Sequence, residues 1–304
     1  MSVRTQAYHR GARMPVIPEL KEKISQITNL PTLPQVAARL LKIINDPQTS
    51  SNDVAFEVGQ DLALSAKVLR LANSAFYGMP RTITSINNAI VILGLRVINT
   101  MVLSLTVFDM FPRDKNRSGF NRIGFWRHSL GCALIARMLS NRVRKFLLFD
   151  PEEAFCAGLL HDIGKVAMEQ YLHDDLHRAI GFGMEHGVSY YEAEKQLLGY
   201  THADVADRLT SGWSLPVELQ APLVGHHAPE AAQQCQDAIY LCHCADFLCY
   251  KAEIVMDVKY PAPRLWDECL DHLRLRDTDI DELLEQVKVE FAKMNVFMDI
   301  VAGR

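Results

Sequence analysis

Asp150-Pro-Glu-Glu-Ala-Phe-Cys-Ala-Gly-Leu-Leu-His161-Asp162-Ile-Gly-Lys165 is the stretch on which the reading of this chain turns. Its first residues announce a helix. The aspartate can cap, the proline takes the first helical position where its missing N–H costs nothing, and two acids face the positive end of the helix dipole. Apolar residues then run straight into an imidazole, a carboxylate and a lysine. Burying that trio without partners costs several kcal/mol. A divalent cation removes the penalty, because imidazole and carboxylate together suit first-row ions. A buried ion pair pinning two helices is the alternative. The same dipeptide recurs at His173-Asp174, within the polar run Tyr171 to His177, and there it reads as a solvated face.

Helical signals extend outward in both directions. Ala37, Leu40, Leu41 and Ile44 fall at i, i+3, i+4, i+7, with Pro34 before them and Pro47 after. Leu64, Val68 and Leu71 continue the pattern. Ser85 is placed to cap a helix ending at Gly94, and Leu95 to Phe111 reads as the next one. This run from Ile86 to Phe111 is the most apolar in the chain. It carries Asn87, Asn88, Arg96, Asn99 and Asp109, so a buried helix pair explains it better than a membrane span. Thr278 to Phe291 reads as an amphipathic helix with Ile280, Leu283, Leu284 and Val287 on one stripe. Only short segments such as Arg81 to Ile86 look β-like, and the expected class is all-α. Ser51 to Ser74 and His202 to Leu223 resemble helix-turn-helix units but lack a dense Lys/Arg face, so core helix pairs are expected.

The chain has 304 residues, 49% of them hydrophobic and 22% charged, which suits a well-packed helical body with two lobes. The polar run Pro112 to Gly119 is the best internal break. The expected organisation is an arm over residues 1–16, a helical lobe over 17–117, and a second helical lobe with C-terminal helices over 118–304. A net charge of −4 calls for neither nucleic acid nor an anionic membrane as partner. Met1 to Pro15 holds Arg4, Arg10 and Arg13 but no apolar core, so it is no secretory signal. Seven cysteines, an odd number without a CxxC, fit a reducing and therefore cytoplasmic compartment. Cys242-His243-Cys244 lacks a second ligand pair and reads as buried thiols rather than zinc.

Other candidates sit in the same half of the chain as His161 and Asp162. His128 lies on the helical segment Phe125-Trp-Arg-His128. His202 follows Thr201, a natural cap. His226 and His227 follow an apolar run, and Asp246 sits inside Cys-His-Cys-Ala-Asp246-Phe-Leu-Cys, where an unpaired carboxylate would be costly. Structural roles stay open for each: His202 as a helix-start residue, His226 and His227 at a helix end favoured by the dipole, Lys165 as an ordinary exposed lysine.

Residues 17 to about 215 resemble the HDOD family, a relative of the HD superfamily of metal-dependent phosphohydrolases. The resemblance rests on Leu30-Pro-Thr-Leu-Pro34, on Val68-Leu-Arg-Leu-Ala-Asn-Ser-Ala-Phe-Tyr-Gly78, on Ile86-Asn-Asn-Ala-Ile-Val-Ile-Leu-Gly-Leu95, and on Glu194 with Gly199 and His202. It implies an all-helical, two-lobed HD-like fold and a role in bacterial signalling, and many members of the family lack metal ligands. The order His128, His161-Asp162, His202, His226-His227, Asp246 is also similar to the ligand order of the HD-GYP group, which hydrolyses cyclic dinucleotides. That likeness implies one metal on His128, His161, Asp162 and Asp246. Asp162 would bridge to a second metal on His202, His226 and His227, with Lys165 contacting a phosphate oxygen. The Gly-Tyr-Pro string of that group is missing after His227, and Gly124 stands where some members place a further glutamate ligand.

The function expected is therefore a signal-transduction protein that binds divalent ions in an HD-type site. Five imidazoles favour two ions of iron or manganese, with nickel or zinc next and magnesium last. The alternatives are an active phosphohydrolase, acting on a nucleotide or cyclic dinucleotide with Asp162 and Lys165 as catalytic groups, and a metal-free protein-interaction scaffold. The partners that follow are a nucleotide or phosphate ligand and other signalling proteins.

Overall fold

The computed structural model describes residues 22–23, 31–43, 48–111, 119–147, 149–256 and 261–303. The N-terminal arm over 1–16, Ile44, Pro47 and most of the Pro112–Gly119 break lie outside the described residues. Among the described residues all regular structure is helical and no strand forms.

The first lobe starts with α1 (Gln35–Ile43), which buries Ala37, Leu40 and Leu41 on one stripe. It continues with α2 (Ser51–Gly59), started by a reciprocal Ser50–Asp53 capping box, and α3 (Leu62–Ala72), capped by Asp61. The β-like segment around Ile83 finds no strand partner. The Asn73 carboxamide takes that part instead, donating to the Ile83 carbonyl at 2.8 Å and accepting from the Ile83 N–H at 2.7 Å. Ser85 then caps α4 (Ile86–Leu93). Gly94 breaks the helix at φ +93°, a conformation few side chains tolerate, and α5 (Leu95–Met110) follows with ten buried residues. The long apolar run is thus a helix pair of which α5 is buried, while α4 buries Ile86, Ala89 and Ile90 and leaves Val91 and Ile92 exposed. No described helix is long and apolar enough to cross a membrane.

The second lobe is built on α6 (Arg122–Val143) and α7 (Pro151–Leu160), the latter capped by Asp150 as its sequence foretells. These two cross closely at Gly158, where a Cβ would lie 2.7 Å from the Cys132 carbonyl oxygen. After a tight turn come α8 (Ile163–Tyr171), α9 (His173–His186), α10 (Tyr190–Leu197), α11 (His202–Thr210), α12 (Val217–Gly225) and α13 (Gln236–Lys251). Then α14 (Asp267–His272), α15 (Asp277–Phe291) and α16 (Asn295–Val301) return against the body, with α15 and α16 on α6 and α16 also on α3.

One core runs through both lobes. Phe76 of the first lobe, Phe155 of α7 and Phe297 of α16 form an aromatic triangle with ring centroids 5.7–6.2 Å apart, and the Arg137 guanidinium lies 4.4 Å from the Phe76 ring. The run Tyr171 to His177 departs from its expected solvated character. Leu172, Asp175 and Leu176 are buried, and Asp175 accepts from Lys23, from Tyr200 at 2.5 Å and from Arg178 at 3.2 Å. The polar letters of that run hid a face satisfied by residues far away in sequence.

Candidate metal centre

Five elements deliver the candidate side chains to one place. His128 projects from the first turns of α6. His161 and Asp162 form the sharp junction between α7 and α8, where one helix ends and the next begins without a linker. His202 opens α11 behind the Thr201–Asp204 capping box, which fixes the backbone from which the ring emerges. His226 ends α12, His227 follows it, and Asp246 lies midway along α13. All seven residues named from the sequence are brought together. They fall into two adjoining groups of donors: His128, His161 and Asp246, joined by Cys132, and Asp162 with His202, His226 and His227.

Asp162 links the groups with one oxygen in each. Its Oδ2 lies 3.3 Å from His161 Nε2 and 3.8 Å from His128 Nε2, while Oδ1 lies 3.0 Å from His202 Nε2 and 3.6 Å from His226 Nε2. Asp246 Oδ1 is 3.1 Å from His128 Nε2 and 3.9 Å from His161 Nε2, and its Oδ2 is 4.0 Å from His227 Nδ1. His161, Asp162, His202 and His226 are at most 1% exposed, whereas His227 is partly open. The Tyr191 ring packs beside it, 4.6 Å from the His227 ring.

Four imidazoles are anchored through Nδ1. His128 donates to the Ile254 carbonyl at 3.0 Å, His161 to Gly158 at 2.8 Å and His226 to Pro222 at 2.8 Å, while His202 donates to the Glu194 carboxylate at 2.6 Å. A carbonyl only accepts, so these contacts place a proton on Nδ1 and turn Nε2 inward, the atom that must be free of its own proton to hold a cation. Glu194 also accepts from the His202 backbone N–H at 3.0 Å.

This arrangement is a test of whether a cation fits. Nε2 of His202, His226 and His227 and Oδ1 of Asp162 are buried and make no hydrogen bond. At 3.0 Å, His202 Nε2 and Asp162 Oδ1 are close without being aligned as donor and acceptor. Orphaned buried donors converging on one point, with their distal nitrogens already occupied, match the orienting pattern of metal-bound histidines. Nitrogen with carboxylate oxygen is a first-row divalent donor set. The residues present fit divalent-metal binding.

The charges are tightly linked. Burial works against the Asp162 carboxylate, yet His161, Lys165 and His202 hold it well below the usual carboxyl range. Burial likewise opposes charge on Asp246, but the His128 hydrogen bond brings it down to about 2. Burial also opposes charge on His161 and His202. Asp162 nonetheless lifts His161 to about 10, and Glu194 lifts His202 to about 9. Burial pushes His226 down to about 4.

Lys165 is buried rather than exposed. Its ammonium bonds Asp162 Oδ2 at 2.5 Å and lies 5.2 Å from the Tyr190 ring. Cys242, Cys244 and Cys249 are buried free thiols, and His243 is tied to the His226 carbonyl at 2.6 Å and the Trp266 N–H at 2.9 Å. Gly124 has no room for an added ligand, since a Cβ there would lie 2.4 Å from the Met256 carbonyl oxygen.

Sequence reasoning missed two participants. Cys132 is one of the seven cysteines to which the sequence gives no role, but its Sγ lies 3.7 Å from His128 Nε2 and 3.9 Å from His161 Nε2. The signal available was its i+4 spacing from His128 on one helix face. Glu194 stood out in the sequence without a role, and only the fold shows it gripping His202.

A profile of the HDOD domain family matches residues 30–229. Among solved structures, the chain is similar to an HDOD domain protein of unknown function from Geobacter sulfurreducens. The identity is 27%, 92% of this chain and 96% of that one are covered, and the TM-score is 0.76. It is also similar to a presumed phosphohydrolase from Shewanella amazonensis SB2B, at 25% identity, 94% and 97% coverage and a TM-score of 0.71. An uncharacterized protein of Treponema pallidum is 23% identical over 202 residues, which are 66% of this chain and 38% of that longer protein.

Proposed function

The chain belongs to the HDOD domain family, and from that premise we propose that it is a signal-transduction protein that binds two divalent cations in an HD-type site. The observation that carries this is the set of inward-facing donors without hydrogen bonds around Asp162, backed by occupied Nδ1 atoms. Cations bound there would supply Lewis-acid polarisation and a water acidic enough to ionise near neutral pH. The protein's own groups orient the ligands: Glu194 and three carbonyls fix the rings, and Lys165 holds one oxygen of Asp162. Occupancy would clamp α6, α7, α8, α11, α12 and α13 to one another. Helix α7 also carries Phe155 of the aromatic triangle between lobes, so the state of the site can reach the first lobe through one rigid element. The near-complete burial of Asp162 favours sensing or structural binding over turnover of a bulky substrate.

Metal analysis tests this after anaerobic purification with iron and manganese supplied. About two equivalents per chain are expected, and fewer than about half an equivalent would refute the reading.

A second reading, a phosphohydrolase acting on a nucleotide or cyclic dinucleotide, is favoured by the bridging position of Asp162 beside the Lys165 ammonium and by the partly open His227. It requires turnover of a phosphodiester by the metal-loaded chain and loss of that turnover in Asp162→Ala. A loaded protein inert toward a broad nucleotide panel leaves the binding role alone standing.

A further inference from the structure

We propose that Cys132 is a thiolate ligand of the cation held by His128, His161 and Asp246, and that it biases this half of the site toward thiophilic ions such as zinc, cobalt or ferrous iron over manganese and magnesium. The inference rests on the cation-binding reading above and adds a donor to it.

Helix α6 puts Cys132 one turn beyond His128 and on the same face. Its sulfur approaches Nε2 of both His128 and His161, at 3.7 and 3.9 Å. Those are the two ring atoms left facing inward once Nδ1 of each is bonded to the carbonyls of Ile254 and Gly158. Sulfur and nitrogen donors on one tetrahedral ion stand about 3.6 Å apart, given bonds of roughly 2.3 and 2.0–2.1 Å. The donor atoms of His128, Cys132, His161 and Asp246 all lie within 4.8 Å of one another, and all four residues are buried. Asp162, 1% exposed, aims Oδ2 at the same two imidazoles while its Oδ1 makes no hydrogen bond. Cys156 is engaged elsewhere, with Thr100 Oγ1 at 3.4 Å, whereas Cys249 neighbours Cys132 and also approaches the His128 carbonyl at 3.8 Å.

A cysteine that merely packs behaves as a small apolar group and needs no convergence with lone pairs. Here the sulfur is the fourth member of a donor cluster otherwise made of two imidazoles and a carboxylate. On binding, the S–H bond breaks, its proton and any proton on Nε2 of His128 and His161 leave to solvent, and sulfur and the two nitrogens donate the freed pairs to the ion. No electron is gained or lost. The thiolate then divides the centre into a softer half and a harder half around Asp162, because soft donors select soft ions.

Cobalt(II) titrated anaerobically into the metal-free full chain tests the assignment. Visible d–d absorption reports an ion in an ordered site, and an intense near-ultraviolet charge-transfer band reports a sulfur–cobalt bond. Both are expected in the wild type and in Cys156→Ser, whose thiol bonds Thr100 instead. Cys132→Ser should retain d–d absorption, lose the charge-transfer band, and reduce the preference for cobalt over manganese by at least about tenfold. A wild-type spectrum with d–d absorption and no charge-transfer band overturns the role of Cys132 while leaving the cation reading intact. A band that persists in Cys132→Ser overturns it equally. Absence of any cobalt spectrum refutes the cation reading itself, and the thiolate with it. Circular dichroism checks that each variant folds. Cys132→Ala, apolar and smaller, provides the same comparison if the serine is not accommodated.

Discussion

Gly164→Ala is the most incisive perturbation the structure offers, because it adds one methyl group that meets backbone rather than any donor atom and still should disable half of the site. Gly164 lies in the first turn of α8, where α11 crosses it. A Cβ there would be 1.8 Å from the His202 carbonyl oxygen and 3.1 Å from the Ala206 nitrogen. Both are backbone atoms of α11 and cannot rotate aside. The crossing must open by at least about 1.2 Å to reach 3.0 Å, below which real Cβ contacts are essentially never seen. His202 opens α11 and moves with it, and its Nε2 now stands 3.0 Å from Asp162 Oδ1. Binding constellations tolerate displacements of about 0.5 Å, so one ion should lose at least tenfold in affinity, at the low end of the ~10–100-fold range for disturbed ligand positioning. Overpacking costs roughly 1–3 kcal/mol, which lowers Tm by about 2–12 °C on the scale of domains somewhat smaller than this one. Calorimetric ion titration and thermal unfolding read both effects. The second ion, held by α6, α7 and α13, should bind as in the wild type. Gly181→Ala serves as the control: it sits inside α9 with nothing within 4 Å of the added Cβ, and should stabilise slightly. An unchanged Tm in Gly164→Ala with two ions bound at wild-type affinity would refute the packing argument.

Three further outcomes are expected. Glu194→Gln removes the charge that orients His202 through Nδ1, and ion affinity should fall about 10–100-fold with the fold intact; equal affinity in the two proteins would show that Glu194 is only structural. Ion at a hundredfold over Kd should add about 2.7 kcal/mol to stability by mass action, so chelation should lower Tm in the wild type and leave Asp162→Ala unmoved; a chelator-sensitive Tm in the variant contradicts this. Asp175 contributes to the acid side of stability. Burial opposes its charge, but Lys23 and Tyr200 outweigh that and hold its folded pKa below the ordinary 3.8. Its contribution is therefore complete above that value and disappears as pH falls through the lowered folded pKa. Chemical denaturation should find the wild type more stable than Asp175→Asn near neutrality, with the gap closing below about pH 4; a gap independent of pH discards the ion pair as its cause.

The sequence alone determined the helices and their boundaries wherever the decisive interaction was local. Asp150 caps α7 and Pro151 starts it, Ser85 and Gly94 bound α4, and Asp61 opens α3. Each is fixed by a side chain within a few residues of the backbone it satisfies. The site was legible for a related reason. A histidine or aspartate embedded in an apolar run, such as Asp246 in α13 or His161 at the end of α7, is a local inconsistency that only a distant partner can resolve. Which partner resolves it was not written locally. Cys132 looked like any core thiol, because a ligand and a packing group both require burial. The run from Tyr171 to His177 looked solvated because Lys23, which answers Asp175, lies 152 positions away. Only the tertiary structure decided that Glu194 grips His202, that Lys165 turns inward onto Asp162, and that both lobes share one core. Hydrophobic periodicity tells a helix which face to bury, and the packing of distant helices decides what that face meets.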